Sequence, residues 1–580
     1  MLNAAQELRR SYAAVLNVGD SKIVSLGAED AENIELVDEG NANYVLATTT
    51  SKNRISVQWE GFARGAAWAI STSDGSRKKV AENIRGFFSA SPKGNYISWY
   101  DWKTRNYFTY NVTNGVTNNI SKSIKQPLWD EEDDHPDDPP PHGVAGWVEN
   151  DKAILLYDKY DIWRVDPDGK QLPINLSQSI GRSAKTEIRY QRTDPEERFI
   201  KEGQPLLLRA FNRVTKYDGF YSAIYGNNQK PSFITSLPNA FLGIVKAKKA
   251  DRYLIQKATI SESELFWTDN LQQFEKLTDI AQQQKEYNWL SAELVRWKMF
   301  DGKESEGLLF KPENFDPKKK YPVIFYFYER NADGLYNYRA PAPSASTINI
   351  PYFVSNGYLV FDPNIYYKNG EPGESAYNSV VSAAKHLAKL PFVDSAKMAI
   401  QGQSWGGYQV AYLVTRTKMF AAAGAGAPVA NMTSAYGGIR WGSGLSRQFQ
   451  YERSQTRIGA SLWQRRDLYI KNSPLFSADK IVTPLLIMHN DKDGAVPWYQ
   501  GIEFFTALRR LNKKVWLLQY NDEDHNLVER RNRKDLSIRL SQFFDHYLKG
   551  APAPRWMTEG VPAIEKGIDW GTEIGGKKAF

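Results

Sequence analysis

One short stretch, Met398–Tyr408, constrains the fold of this chain more than any other. It contains Gly402-x-Ser404-x-Gly406, and a second glycine follows at once. The apolar residues before the motif predict a buried strand, and the run after it is compatible with a helix. A serine on a sharp turn between strand and helix has its hydroxyl lifted clear of the sheet. The glycines fit this geometry because a Cβ there would collide with a neighbouring element. We therefore predict that Ser404 is a nucleophile; the alternative is a chance match in a glycine-rich turn.

The second half of the chain alternates predicted strands with predicted helices. Alternation of this kind predicts a doubly wound, mostly parallel sheet. We place this domain at 286–555, followed by a tail at 556–580. Its predicted strands are 320–328, 358–362, the strand before Ser404, 421–426, 484–488 and 514–520, and its clearest helices are 375–390 and 533–548.

The first half, 1–285, has short aromatic and β-branched strands but no long helical pattern. Four passages share a strand, a tight turn and a second strand, and they are centred near Gly75, Gly115, Gly169 and Asn270. The first two turn glycines lie 40 residues apart and the next pair 54. A spacing of about 40–50 residues is typical of four-stranded propeller blades, and the length has room for about six. We predict an all-β propeller, complete or partial; a pair of β-sandwiches is the alternative.

An acidic, proline-rich segment at 129–142 interrupts these strands. Its carboxylates could capture a substrate's amino terminus or a cation, whereas a solvated surface loop is the simpler interpretation. His135 and His142 lack a second ligand pair at suitable spacing, and the chain has no cysteine. The sequence therefore predicts no metal site and no cofactor, and it excludes thiol catalysis.

The net charge of +8 comes from 74 basic and 66 acidic residues without a dense basic block, so we expect no nucleic-acid partner. No apolar stretch is long enough to span a membrane. The first ten residues carry charges where a signal peptide needs an apolar core. At face value this predicts a cytoplasmic protein, and an exported one if an upstream segment is missing. A homo-oligomer is compatible with the sequence.

Ser404 needs a base to take its proton and an acid to orient that base. In this type of sheet the order along the chain is serine, acid, histidine, on loops after successive strands. His525 directly follows the last predicted strand and is the candidate base, whereas His546 lies inside the terminal helix. Asp491 and Asp493 both follow an earlier strand, and sequence alone does not choose between them. The acidic run 522–524 is a further candidate.

The negative charge that develops on the substrate oxygen needs two donors. The backbone N–H of Trp405, next after the nucleophile, supplies one. The loop after the strand ending at Tyr328 should supply the other, but it lacks the glycine run that lipases use there. The phenol of Tyr328 is the natural substitute. His489, at the end of a strand, is a candidate for contact with the site.

Residues 297–548 resemble the prolyl oligopeptidase family of serine peptidases. The resemblance rests on four ordered motifs: Lys320-Tyr-Pro…Tyr328, Gly402-Gln-Ser-Trp-Gly-Gly-Tyr408, His489-x-x-x-Asp493-x-x-Val-Pro497 and Tyr520-x-Asp-Glu-Asp-His525. It implies an α/β-hydrolase domain with Ser404 as nucleophile, Asp493 as orienting acid, His525 as base and Tyr328 as oxyanion donor. It also implies a propeller that caps the site and restricts entry to peptides.

This chain departs from the family pattern around the substrate. Ala495 stands where the dipeptidyl-peptidase branch has an asparagine, and the residues after Tyr328 lack the usual glycine-proline pair. Tyr436 and Trp441 are the aromatic residues available for a substrate pocket. Family members carry a longer first half, which is compatible with a fragment here. The sequence thus favours a serine peptidase acting on oligopeptides; an esterase of the same fold and a non-catalytic propeller protein are the alternatives.

Overall fold

The computed structural model describes residues 4–574. The chain divides into two compact units, one comprising residues 4–258 and 264–279 and the other residues 259–263 and 280–574. In the described part of the chain, no helix combines the length and the apolar character that crossing a membrane requires.

The first unit is a β-propeller built from sequential antiparallel sheets. In residues 4–279 a hairpin precedes five four-stranded sheets, each with its strands in chain order. The hairpin is β1 (Ala14–Asn17) and β2 (Lys22–Ser25), and the sheets are β3 (Asn33–Leu36), β4 (Tyr44–Thr49), β5 (Gly65–Ser71) and β6 (Arg77–Ile84); β7 (Ser89–Ala90), β8 (Tyr96–Asp101), β9 (Asn106–Asn111) and β10 (Thr117–Asn119); β11 (Val144–Trp147), β12 (Ile154–Tyr157), β13 (Ile162–Val165) and β14 (Ile174–Asn175); β15 (Thr186–Tyr190), β16 (Pro205–Asn212), β17 (Asp218–Ile224) and β18 (Ser232–Leu237); and β19 (Ala240–Lys246), β20 (Tyr253–Ala258), β21 (Ser263–Thr268) and β22 (Glu275–Lys276). Three short helices accompany them: α1 (Ala4–Leu8), α2 (Val57–Glu60) and α3 (Ile180–Ala184).

The four recurring passages of the sequence all occupy the same place in their sheets. They form the hairpin between the third and fourth strands, β5–β6, β9–β10, β13–β14 and β21–β22. Buried polar groups join neighbouring sheets: Asp151 accepts hydrogen bonds from Ser91 Oγ at 2.6 Å and from the Asn95 backbone N–H at 3.0 Å. The repeat in the sequence is thus a repeat of one supersecondary unit.

The acidic segment 129–142 is closed by backbone hydrogen bonds. Asp130 N–H donates to Pro140 O at 2.8 Å, and His142 N–H to Leu128 O at 2.9 Å. Its carboxylates pair with basic residues of the same unit, for example Asp137 with Arg85 at 2.7 Å. Asp133, Asp134 and His135 each place one possible ligand atom within 4.8 Å of the others.

The second unit is an α/β-hydrolase domain with an eight-stranded sheet. The strand order is β23-β24-β26-β25-β27-β28-β31-β32. The first two pairings are antiparallel and the rest parallel. The strands are β23 (Leu290–Lys298), β24 (Glu304–Pro312), β25 (Tyr321–Tyr326), β26 (Leu359–Pro363), β27 (Val393–Gln403), β28 (Ala422–Gly426), β31 (Leu485–Met488) and β32 (Val515–Leu518), and a separate hairpin is formed by β29 (Ile439–Arg440) and β30 (Leu445–Ser446).

Both faces of this sheet are covered, which explains why its strands are apolar runs rather than alternating ones. Along β25, Val323 and Phe325 pack into the cluster on one face, and Ile324 packs into the cluster on the other. The helices of the unit are α4 (Ile350–Ser355), α5 (Pro372–Ala376), α6 (Ser382–Leu387), α7 (Trp405–Arg416), α8 (Met432–Tyr436), α9 (Gln448–Glu452), α10 (Arg466–Lys471), α11 (Tyr499–Arg510), α12 (Arg530–Phe544) and α13 (Arg555–Thr558).

Two predicted helices differ from the structure in detail. The helix expected at 375–390 is α5 and α6 joined by a π-helical turn at Tyr377–Val381. The terminal helix α12 continues into a second π-helical turn, Asp545–Lys549. Beyond it, Trp556 and Met557 are buried in the cluster that α12 covers, so the start of the predicted tail packs with this unit.

Candidate active site

Ser404 occupies a strained turn between β27 and α7. Its backbone has φ 61° and ψ −115°, a conformation that is costly for a residue with a Cβ. Gly426 O of β28 accepts a hydrogen bond from Ser404 N–H at 2.8 Å, which fixes the turn on the sheet. A Cβ on Gly406 would lie 2.7 Å from Phe327 O, and one on Gly407 would collide with Gly426 O. The two glycines therefore allow the helix to begin directly against the strand ends.

His525 and Asp493 form a close pair on two other loops at this edge. His525 Nδ1 lies 2.7 Å from Asp493 Oδ2. Asp493 Oδ1 accepts hydrogen bonds from the backbone N–H groups of Ala495 and Val496, both at 2.8 Å. Because an ionised carboxylate only accepts, the proton of the neutral imidazole lies on Nδ1. The Nε2 of His525 is then left as an acceptor, which is the state a general base needs.

A second imidazole shares the same carboxylate oxygen. His489 Nε2 lies 3.3 Å from Asp493 Oδ2 and 3.2 Å from Val496 O, and its side chain is fully buried. Burial alone would raise the pKa of Asp493, but the hydrogen bonds and charges of His489 and His525 outweigh it and hold that pKa well below its usual range. Asp493 is therefore ionised near neutral pH.

A side-chain hydrogen bond ties the histidine loop to the serine turn. Gln403, the residue before Ser404, donates from Nε2 to the backbone carbonyl of His525 at 2.8 Å. Among the described residues 4–574, Ser404 Oγ forms no hydrogen bond, and the His525 ring bonds to Asp493. A serine–histidine contact is commonly long without substrate and shortens in the reacting complex.

Tyr328 lies beside the serine turn on a loop that follows β25. Its ring is next to the place where a Cβ on Gly406 would lie, 3.6 Å from Tyr328 Cδ2. Gln455 Nε2 donates to the phenol oxygen at 2.9 Å, and Gln409 Nε2 donates to the Tyr328 backbone carbonyl at 2.9 Å. Since Gln455 supplies a donor, the phenol keeps its own proton available for another acceptor.

The second predicted donor, the N–H of Trp405, is the first of helix α7. A first-turn N–H has no acceptor within its own helix, so it remains available to a ligand. The indole of Trp405 is buried, stacks on Tyr408 at 4.4 Å between ring centroids, and donates from Nε1 to Tyr367 OH at 2.8 Å. These contacts fix the backbone that carries the N–H.

The loop after Tyr328 is held by two polar residues at the end of β26. Asn364 Oδ1 accepts hydrogen bonds from the backbone N–H groups of Asn331 and Ala332 at 2.8 and 3.0 Å. Asp362 accepts from Asn331 Nδ2 at 3.1 Å and lies 3.8 Å from Arg339 Nη2. Complete burial raises the pKa of Asp362 to about 6, and Arg339 and the Asn331 hydrogen bond counteract only part of the rise.

The other acidic and histidine candidates lie elsewhere. Asp491 Oδ1 accepts the backbone N–H of Asp522 at 2.8 Å. Glu523 is buried and accepts the N–H of Val528 at 2.6 Å, just before α12. His546 Nδ1 lies 2.8 Å from Ala551 O in the terminal turn. The structure thus pairs the His525 ring with Asp493 rather than with these carboxylates.

The two aromatic residues predicted for a substrate pocket differ in setting. Tyr436 is 3% exposed and donates to Glu452 Oε1 at 2.5 Å, whereas Trp441 is 68% exposed beyond the end of β29. Three glutamines that sequence reasoning overlooked, Gln403, Gln409 and Gln455, form the contacts described above. The signal in the sequence that could have indicated such a contact is Gln403, a polar residue next to Ser404 at the end of an apolar strand.

Known proteins share this arrangement of elements. Residues 344–551 match the prolyl oligopeptidase family. The matched residues lie within the α/β domain, which is therefore similar to this family. Among curated relatives, the uncharacterized peptidase YuxL of Bacillus subtilis is 26% identical over 273 residues, which cover 44% of this chain and 39% of that protein. The dipeptidyl-peptidase 5 of Porphyromonas endodontalis is 26% identical over 266 residues, covering 41% of this chain and 35% of that protein.

Solved structures of peptidases match nearly the whole chain in fold. The dipeptidyl peptidase 4 of Porphyromonas gingivalis superposes with a TM-score of 0.65 at 15% identity, over 93% of this chain and 80% of that one. A puromycin-hydrolyzing peptidase of Mycobacterium tuberculosis gives 0.62 at 15% identity, over 93% and 83%. The sequence matches to curated relatives thus span about two fifths of those proteins, whereas the fold is shared across both units.

Proposed function

We propose that this protein is a serine peptidase that hydrolyses peptide bonds of oligopeptides through Ser404, His525 and Asp493. One observation carries the proposal: the His525–Asp493 pair, 2.7 Å apart, is tied to the turn of Ser404 by the 2.8 Å hydrogen bond from Gln403. The pair supplies a base whose Nε2 can accept a proton, and the turn presents the half-buried serine hydroxyl at the ends of the strands.

In the first half-reaction, Ser404 Oγ attacks the carbonyl carbon of the peptide bond. His525 Nε2 takes the hydroxyl proton, and the imidazolium is stabilised by the adjacent Asp493 carboxylate. The new negative charge on the substrate oxygen is met by the Trp405 N–H and the Tyr328 phenol. His525 then returns the proton to the leaving amine, and an acyl ester of Ser404 remains.

In the second half-reaction, water replaces the amine. His525 removes a proton from the water as it attacks the ester carbonyl, and the same two donors stabilise the charge again. Collapse of this intermediate returns the proton to Ser404 and releases the acid product.

A peptide is favoured over a simple ester because the matched relatives are named as peptidases and the propeller–hydrolase fold is shared with them. This part of the proposal rests on similarity, whereas the acyl-transfer chemistry rests on the geometry of the site.

The test uses a fluorophosphonate probe together with libraries of peptide-coumarin and simple ester substrates, on the wild type and on Ser404→Ala. We expect labelling of Ser404 and peptide cleavage by the wild type, with both lost in the variant. Labelling and ester turnover without peptide cleavage would indicate an esterase, and absence of labelling would indicate a non-catalytic protein.

A further inference from the structure

The hairpin β29–β30 is docked on the loop that follows the orienting acid. Gly442 N–H donates to Gly494 O at 2.9 Å, and Arg447 N–H donates to Gly438 O at 3.0 Å. Gly438 packs so closely that a Cβ there would lie 2.9 Å from Pro497 Cγ. The hairpin therefore has a fixed position next to Asp493.

Two arginines, Arg440 of β29 and Arg447 directly after β30, lie next to this loop. In residues 4–574, neither Arg440 nor Arg447 forms an ion pair with a carboxylate. Arg447 is 3% exposed, and its guanidinium donates to the backbone carbonyl of Ala495, which makes it part of the packing between hairpin and loop. Arg440 is only half-buried, and within residues 4–574 no hydrogen bond holds its side chain, so its guanidinium can reach a ligand.

Arg440 is close enough to the site to interact with it electrostatically. Burial lowers the pKa of its guanidinium and the charge of Arg447 lowers it further, while the negative charge of Asp493 and the phenol of Tyr328 act in the opposite direction. The carboxylate of Asp493 is already engaged by two imidazoles. Two neighbouring cations that form no ion pair within residues 4–574 create a positive potential beside Tyr328.

We propose that Arg440 binds a carboxylate of the substrate, so that the enzyme prefers peptides with a negative charge next to the cleaved bond. The inference rests on the proposed peptidase function and adds a substrate class to it. An arginine fork matches a carboxylate in two parallel hydrogen bonds, and a half-buried setting makes that match stronger than in open water. The carboxylate can belong to an Asp or Glu side chain or to the carboxyl terminus of a short peptide.

Matched substrate pairs test the proposal and separate these two sources. The first pair is a peptide-coumarin substrate with Glu, and the same substrate with Gln, at the residue that donates the acyl group. The second pair is an internally quenched short peptide with a free and with an amidated carboxyl terminus. We expect kcat/KM of the wild type to favour the charged member of at least one pair by about 10- to 100-fold, the value of a charge-assisted hydrogen bond.

For each variant of Arg440, the measured quantity is the ratio of kcat/KM for the charged and the uncharged substrate in the same enzyme preparation. A smaller fraction of folded protein lowers both values equally and leaves this ratio unchanged. Arg440→Gln should bring the ratio close to 1, Arg440→Lys should keep part of it, and Arg440→Glu should invert it. The matched control is Arg466→Gln, which removes an exposed arginine of α10 and should leave the ratio as in the wild type.

The outcomes are distinct. A wild-type ratio near 1 in both pairs, or a high ratio that survives in Arg440→Gln, overturns the inference while the peptidase activity stands. If the wild type cleaves none of the four peptides, charged or uncharged, the proposed function is overturned and this inference with it. Protection of Ser404 from the fluorophosphonate by N-acetylglutamate, but not by N-acetylglutamine, would support the inference independently.

Discussion

Asp493 accepts hydrogen bonds on both carboxylate oxygens, two from backbone N–H groups and two from imidazoles. This arrangement fixes the tautomer of His525. An asparagine at the same place would present an amide N–H to Nδ1, and the ring proton would move to Nε2. In the proposed mechanism, His525 could then no longer accept the proton of Ser404.

We therefore expect Asp493→Asn to lower kcat by about 10⁴-fold, the loss typical of a serine triad whose acid is made neutral. Asp491→Asn is the matched control: within residues 4–574 the Asp491 side chain accepts a single hydrogen bond, from the N–H of Asp522, and an amide oxygen can accept it equally well. Steady-state kinetics on one peptide substrate would check both. Loss of activity in Asp491→Asn with retention in Asp493→Asn would contradict the assignment.

The phenol of Tyr328 is held by Gln455 in a state that leaves its proton available. Tyr328→Phe should lower kcat by about 10²–10³-fold with a much smaller change in KM, because an oxyanion donor acts in the transition state. Gln455→Leu should lower kcat less, since the phenol remains but is less well oriented. The control is Tyr352→Phe, on an exposed tyrosine of α4. A rise of KM by a similar factor in Tyr328→Phe, with kcat unchanged, would instead indicate a role in substrate binding.

At the scale of elements, the contact between α7 and β28 depends on the absence of a side chain at Gly407. Gly407→Ala should lower the free energy of unfolding by about 1–3 kcal/mol, the usual cost of overpacking, and should also slow labelling of Ser404. Gly437→Ala is the control, because a Cβ there has no neighbour within 4 Å and its φ of −84° suits alanine. Denaturant unfolding curves would compare them, and equal stabilities would show that the helix can shift without cost.

Asp362, at the junction of β26 with the loop after Tyr328, should make the stability of the protein depend measurably on pH. The folded-state pKa of Asp362, about 6, lies above the ordinary value of 3.8. Between about pH 4 and 6, Asp362 is largely protonated in the folded protein but largely ionised in the unfolded chain. The free energy of unfolding therefore falls as pH rises from about 4 to 6. At about 1.4 kcal/mol per pKa unit, the full difference is about 3 kcal/mol.

Relative to the wild type, Asp362→Asn should therefore become more stable as pH rises from 4 to 7, as measured by denaturant unfolding at several pH values. The exposed turn residue Asp301, changed to Asn, should leave the profile unaltered. A stability difference for Asp362→Asn that does not change with pH would contradict the buried-charge interpretation.

At the scale of the whole molecule, much of the architecture could be predicted from the sequence because its signals are local. The propeller repeat is a strand, turn and strand, and the serine motif is a strand, turn and helix. The fold of both units, a propeller and an α/β-hydrolase domain, is confirmed by the structure and by the solved structures that it resembles. The π-helical turn at Tyr377–Val381 has no such local signal in the sequence.

The finer contacts of the site depend on distant residues meeting in space. Gln403 and His525 are 122 residues apart in the chain, and Gln455 and Tyr328 are 127 apart. No spacing rule connects residues at such separations. The sequence predicts the order serine, acid, histidine, but it does not distinguish Asp491 from Asp493 without a family resemblance or coordinates.

The central claim is that His525 activates Ser404. The most direct measurement is the second-order rate constant for fluorophosphonate labelling of Ser404, followed by mass spectrometry in the wild type, His525→Ala and His546→Ala. The account predicts a fall of about 10²–10⁴-fold in His525→Ala, the usual contribution of a general base, and a rate within twofold of the wild type in His546→Ala. Undiminished labelling of Ser404 in His525→Ala, or labelling of a different residue in the wild type, would contradict it.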